Sequence, residues 1–239
     1  MTIHSDTSLI FALASFAHLA HVDSVANGAA CGCHCPECGE PVLAVQGVQL
    51  AHHFRHVGES GCGAGYETMA HILAKQIIAE EKRVRLPALT VQLPEGDHLF
   101  IEDQMAALTN VEIEPWRRGI RPDAVARWEE TEIGIEVYVR NLCDPMKVKR
   151  YRDRGLAAIE IDLSGFKEKL EPKAFRHAVV YGARRRWLFH PYENEPARRV
   201  ERKLLEHNAE IAKSHADSRN DPVGQALVEE WFKHFWAGH

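Results

Sequence analysis

Five of the six cysteines, Cys31, Cys33, Cys35, Cys38 and Cys62, lie within 32 residues, and nothing else in the sequence restricts the fold so tightly. In a chain read as cytoplasmic, such crowding means a metal rather than disulfides. Cys35-Pro36-Glu37-Cys38-Gly39 is a C-x2-C knuckle. A hairpin is expected after it, over residues 42–45 and 50–54 around Gly47, and then come His53, His56 and Cys62. A structural zinc site takes four sulfur or nitrogen ligands in a closed tetrahedron, and Cys35, Cys38, one histidine and Cys62 supply them. His53 and His56 stand three apart on an expected strand and so face opposite ways, which leaves the choice open, with His52 as a third candidate. Cys31 and Cys33 compete as a poorer C-x-C pair. The competing reading of the cluster is a set of buried free thiols.

A second constraint lies between Arg117 and Tyr151. Residues 121–128 and 133–139 read as two strands joined by a polar turn at 129–132. In the second strand Ile133, Ile135, Val137 and Val139 share one face, and Glu136 and Tyr138 the other. A carboxylate is thus planted in an apolar strand. Paired as a hairpin, the two strands bring Asp123 close to Glu136, and two adjacent carboxylates suit a hard divalent cation. The competing reading is a surface salt-bridge network.

At 239 residues and 45% hydrophobic, the chain can bury one good core with a small satellite module. The apolar run at 9–20 lacks a preceding basic segment, contains His18 and is shorter than a membrane span; it reads as early core of a cytoplasmic protein with no membrane contact. The net charge of -5 argues against nucleic acid, yet its distribution argues for it. Residues 1–116 carry 5 basic and 14 acidic side chains, residues 117–203 carry 21 and 14, and residues 204–239 carry 3 and 6. The basic surplus surrounds the carboxylate hairpin, as a polyanion substrate requires.

Residues 65–82 read as a helix with an apolar arc and a stripe of Glu67, His71 and Lys75, which alone would be a solvated face. Strands are expected at 86–94 and 111–116, with a turn from Pro94 to Asp97. Asp144 and Pro145 open a basic helix that Gly155 ends. Residues 156–164 read as a buried strand pairing parallel with an earlier one through that helix. Helix, three strands, helix, strand gives an α+β mixed sheet flanked by helices. Residues 166–189 read as mostly helical, with Arg184, Arg185 and Arg186 near the end. Two further helices are expected at 197–215 and 221–236, the last with an apolar stripe that fits a homodimer or protein partner if exposed. This divides the chain into a zinc module (1–63), a core (64–192) and a helical extension (193–239).

Taken in order, C-P-E-C-G, H-F-R-H, Cys62, the Glu67/His71/Lys75 helix, R-P-D at 121–123, I-E-V at 135–137, the basic helix with Tyr151 and E-I-D-L-S at 160–164 resemble the competence protein CoiA-like nucleases. These are similar to the PD-(D/E)XK superfamily with an N-terminal zinc module. The resemblance spans residues 28–164 and implies a restriction-endonuclease-like core, a catalytic Mg²⁺ and DNA as substrate. Carried over, Asp123 and Glu136 are the magnesium ligands and Glu67 the helix glutamate that joins them in some members. The pattern's lysine is replaced by Tyr138, a phenol that can only hydrogen-bond at neutral pH. Lys147 or Lys149 could reach into the site instead. Arg121, Lys147, Arg150, Arg152 and the arginines at 184–186 would hold the nucleic-acid backbone. The expected function is a metal-dependent deoxyribonuclease; the alternative is a nuclease-fold DNA-binding protein that has lost turnover.

Overall fold

The computed structural model of the chain describes residues 9–15, 18–58, 62, 66–93, 96–166, 170–194, 205–206 and 209–211. The chain divides into two compact units, Met1–Leu89 with Ile101–Pro191, and Thr90–Phe100 with Tyr192–His239. The first unit holds every site residue named above.

The apolar run at the start forms an antiparallel hairpin of β1 (Phe11–Ser15) and β2 (His18–His21). Leu9, Phe11, Ala12 and Leu19 are buried, as expected of early core. A second hairpin joins β3 (Val42–Val45) to β4 (His53–His56), with Val42 opposite His56. Bridges from Leu9 to Phe54 and from His34 to both Leu13 and Pro41 tie the hairpins and the knuckle together.

Helix α1 (Tyr66–Glu81) buries Met69, Ala70, Leu73, Ala74, Ile77 and Ile78, a stripe of period 3.6. It docks on β2 through the Gln76 amide, whose oxygen accepts from Leu19 N at 3.0 Å and whose nitrogen donates to Leu19 O at 3.3 Å. The strand expected at 86–94 is two short strands. β5 (Arg83–Leu86) pairs with β8 (Gln104–Ala107), while β6 (Leu89–Leu93) pairs with β7 (Gly96–Ile101). Of the turn expected there, Pro94 and Glu95 lie outside the described residues.

The main sheet contains β9 (Thr109–Ile113), β10 (Ala124–Trp128), β11 (Thr131–Tyr138), β12 (Ala157–Asp162) and β13 (Arg184–Phe189), in the order β13-β12-β11-β10-β9. β11 and β12 run parallel and the other pairs antiparallel, so the sheet is mixed as the element order predicts. The β10–β11 turn is tighter than expected, with Trp128 opposite Thr131 and Glu129 in the left-handed region.

Helix α2 (Pro145–Arg154) makes the parallel crossover. The Asp144 carboxylate caps it by accepting from Met146 N at 2.9 Å, Pro145 supplies a first residue with no N–H to satisfy, and Gly155 closes it in the left-handed conformation at φ 60°. Tyr151 turns inward, completely buried, into a cluster with Ile120, Leu156, Ala158, Leu188 and Phe189. Its ring lies over Gly134, the one residue of β11 without a Cβ to obstruct it.

Residues 166–189 depart from the expected helix. The helical part is α3 (Pro172–His177) with one wider turn to Gly182, and the chain then enters β13. Pairing with β12 decides this, since it satisfies the backbone and places Leu188 and Phe189 in the core. Arg184–Arg186 therefore lie on an edge strand. Of the helices expected at 197–215 and 221–236, 205–206 and 209–211 are helical and the rest lies outside the described residues. Among those described, no helix is long and apolar enough to cross a membrane.

Candidate functional site

The antiparallel register pairs Ala124 with Ile135, which brings Asp123, just before β10, beside Glu136. Asp123 Oδ2 accepts from Val137 N at 2.8 Å, so its carboxylate is anchored to the neighbouring backbone. Glu136 is only 5% exposed because β11 is buried on both faces. Lys147 Nζ lies 2.7 Å from Oε1 and 2.9 Å from Oε2, and the Tyr151 hydroxyl donates to Oε1. Burial, and after it the Asp123 charge, push Glu136 up to about 7 against the opposing pull of Lys147 and Tyr151. The same burial, with Glu136 alongside, holds the Tyr151 phenol far above its ordinary range, where it remains a donor.

Helix α1 turns its polar stripe to this end of the sheet and not to open solvent. His71 Nδ1 stands 3.9 Å from Asp123 Oδ2, and burial lowers the imidazole's pKa against the pull of that carboxylate. Lys75, 12% exposed, pairs with Glu114, which also receives Arg121. Lys75 holds the Glu114 carboxyl below its usual range. Glu67 is directed elsewhere, to Arg140 Nε at 3.7 Å and Asn141 Nδ2 at 3.4 Å, and so does not join Asp123 and Glu136.

The two candidate lysines separate cleanly. Lys147 is on Glu136; Lys149 is solvent-exposed and bound to Asp153 at 2.5 Å, because two positions along a helix point to opposite sides. Tyr138 ends β11, and its carbonyl accepts from Leu163 N at 2.7 Å. Arg150 and Arg152 are exposed on α2. Arg185 is drawn inward, where its guanidinium donates to the carbonyls of Ala178, Val179, Tyr181 and Ala183; burial, then Arg85, lower its pKa to about 10. Arg186 Nε binds Glu160 Oε2 at 2.8 Å. Arg185 is thus engaged inside the protein, while Arg186 stays more than half exposed.

Glu160 had no role assigned from sequence beyond its place in a motif. It is 3% exposed, sits level with Glu136 on the adjacent parallel strand and accepts from Cys143 N at 2.7 Å. It thereby fixes the segment that leads into α2, and with it Lys147. The signal was the repeat of one acidic residue in an apolar strand.

The second site is the cysteine cluster. The ligand atoms of Cys35, Cys38, His56 and Cys62 all lie within 4.8 Å of one another, a group that can hold a metal ion. Cys35 Sγ and Cys62 Sγ are 3.8 Å apart, and Cys38 Sγ is 3.3 Å from His56 Nε2. The histidine left open by the spacing is thus His56. His53 binds Ala51 O at 2.9 Å and His52 binds Asp23 at 2.5 Å. Cys31 and Cys33 stay outside, engaged with Val42 O and with each other. Burial raises Cys35 to about 11 and Cys33 to about 12, while a backbone N–H from Glu40 lowers Cys38. Glu37, inside the knuckle, accepts from the Thr68 hydroxyl and so links the cluster to α1. Among the described residues, Asp123, Glu136 and Glu67 do not form a second group of this kind. No protein-family model, curated protein or solved structure matches the chain.

Proposed function

We propose that the chain is a metal-dependent nuclease that hydrolyses phosphodiester bonds in DNA, a CoiA-like protein whose mixed sheet is a restriction-endonuclease-like core working in the cytoplasm. The observation that carries this reading is the buried Glu136, beside Asp123, with Lys147 and Tyr151 on its carboxylate. Ionised Glu136 is disfavoured by burial and by Asp123, an imbalance that a cation removes, and the donors are hard oxygens. Such oxygens suit magnesium, which Asp123 and Glu136 would hold and which would supply Lewis-acid chemistry and neutralise phosphate charge there.

The chain's own groups do the rest. In this reading Lys147 takes over from the motif lysine that Tyr138 replaces, its ammonium turning from Glu136 toward charge developing on the phosphate. Tyr151 fixes the orientation of the Glu136 carboxyl. His71, held below its ordinary pKa, can accept a proton at neutral pH. For the cysteine cluster we propose structural zinc: two sulfurs sharing an ion at about 2.3 Å stand about 3.8 Å apart in a tetrahedron, which is the Cys35–Cys62 separation.

One observation favours a binding-only relative: Glu67 pairs with Arg140 rather than joining the carboxylates. Cleavage of labelled single- and double-stranded DNA with magnesium, with manganese and with no added divalent ion decides between the readings. We expect cation-dependent cutting that is abolished in Asp123→Ala and Glu136→Ala and falls by about 10²–10³-fold in Lys147→Ala. DNA binding without cutting under either cation overturns the enzyme.

A further inference from the structure

We propose that Arg186, set in place by the buried Glu160, holds the phosphate next to the scissile one, so that the substrate backbone crosses the sheet from β11 toward β13. This rests on the nuclease reading and gives the site a second phosphate position. Glu136 on β11 lies opposite Glu160 on β12, and Glu160 lies opposite Arg186 on β13. Residues paired in this way project from the same face of a sheet, so the three side chains form one row on the face of Glu136. Strands stand about 5 Å apart, which puts Arg186 about 10 Å along the row from Glu136. Arg185, one residue on from Arg184 and one before Arg186, points to the other face, where it binds the carbonyls of Ala178 and Val179. Of the three arginines expected to hold a nucleic-acid backbone, Arg186 is thus the one in line with the carboxylate site.

Both oxygens of Glu160 are occupied: Oε1 accepts from Cys143 N at 2.7 Å and Oε2 from Arg186 Nε at 2.8 Å. An arginine has N–H donors at Nε and at the two terminal nitrogens, and this bond uses the inner one. The Arg186 side chain is 56% exposed while Glu160 is 3% exposed, so solvent meets the guanidinium and not the carboxylate behind it. A guanidinium already fixed at Nε loses little further freedom on binding, and its planar fork matches two phosphate oxygens. The same carboxylate holds the segment that leads to Lys147. Glu160 is therefore a positioning residue for two cations, Lys147 at Glu136 and Arg186 two strands away. A contact to a neighbouring phosphate fixes the register of a strand over the site without reading its sequence.

Two measurements on the full chain test this. The first is fluorescence anisotropy with labelled poly(dT) and no added divalent ion. Arg186→Gln should weaken binding about fivefold and lower the salt slope by about 0.7, while Arg186→Lys keeps the slope. Arg83→Gln, which removes the same charge just past the other end of α1 from His71, should stay within about twofold of the parent. Glu160→Gln should weaken binding about threefold although it makes the chain more cationic, because its amide turns a donor toward Arg186; charge alone predicts tighter binding. The second measurement is cleavage with magnesium, where Arg186→Gln should raise KM about fivefold and leave kcat within about twofold, as befits a contact away from the reacting phosphate. A salt slope and KM equal to the parent's overturn the second phosphate position and leave the nuclease reading standing. A fall in kcat at unchanged KM makes the Glu160–Arg186 pair a support of the Lys147 segment alone and overturns it too. With DNA binding but no cutting, the nuclease reading falls and the slope judges Arg186: lowered, it remains a backbone contact; unchanged, it does not. Failure to bind any nucleic acid removes both readings together.

Discussion

Glu136 keeps its proton to about pH 7 in the folded chain, whereas an unstructured glutamate loses it near 4.5. Between those values the folded state binds the extra proton, so stability falls as pH rises. The contribution is fully present below about 4.5 and lost above 7, a span of roughly 3 kcal/mol for a group this buried. Glu136→Gln removes the titration but leaves the Tyr151 hydroxyl an acceptor. Urea denaturation should find the variant about 1–3 kcal/mol more stable than the parent at pH 8, with the gap closing below pH 5. Magnesium should narrow the gap at pH 8 by stabilising the parent alone, since only the parent offers the carboxylate. A variant no more stable than the parent at pH 8 would mean that Lys147 and Tyr151 already offset the burial of the charge.

The unit that carries this chemistry is β11–α2–β12, and its tightest point is Gly134 under Tyr151. A Cβ at Gly134 would meet the Tyr151 ring at 3.0 Å and its hydroxyl oxygen at 3.2 Å. The ring is fully buried, so in Gly134→Ala it has to give by a few tenths of an ångström against α2 and its bond to Glu136. Overpacking of this kind costs about 1–3 kcal/mol. Asp144→Ala loses only a cap, about 1 kcal/mol. Thermal melts should order the two this way, and cleavage should suffer more in Gly134→Ala at equal stability; equal losses would place Tyr151 outside the site. This unit was legible in the sequence because its signals are local: alternation in β11, an Asp-Pro start, a Gly stop and an apolar β12. β13 was not, since an arginine run after an apolar helix continues the helix by local criteria and only pairing with β12 makes it a strand. The same division runs through the site. Glu136 announced itself by its place in an apolar strand, and Lys147 shares its helix face with the inward Tyr151. Glu160 takes its partners from the segment before α2 and from β13, which spacing along the chain does not reveal.

Across the first compact unit the cysteine cluster and the carboxylate site share one support, helix α1. Its Thr68 hydroxyl donates to Glu37 of the knuckle and its Gln76 amide clasps β2, while His71 and Lys75 reach Asp123 and Glu114. Four ligands drawn from a knuckle, a strand and the segment before α1 close a small module whose buried apolar residues are few. Such modules take much of their folding free energy from the metal. Purified protein should contain one zinc per chain, and a strong chelator should remove it. Hydrogen exchange should then speed up in β3, β4 and the first turns of α1, while β11 and β12, buried on both faces, keep their protection. Cys62→Ser should reproduce the pattern without chelator, because it removes one ligand of four. With His71 and Lys75 loosened, DNA cleavage should fall even though Asp123 and Glu136 remain in the sheet. Protein that contains no metal, or exchange that chelation leaves unchanged, would return the cluster to a set of buried thiols. Exchange that speeds up equally in β11 and β12 would instead make the cluster part of one cooperative unit with the sheet, and the metal a condition for the whole fold.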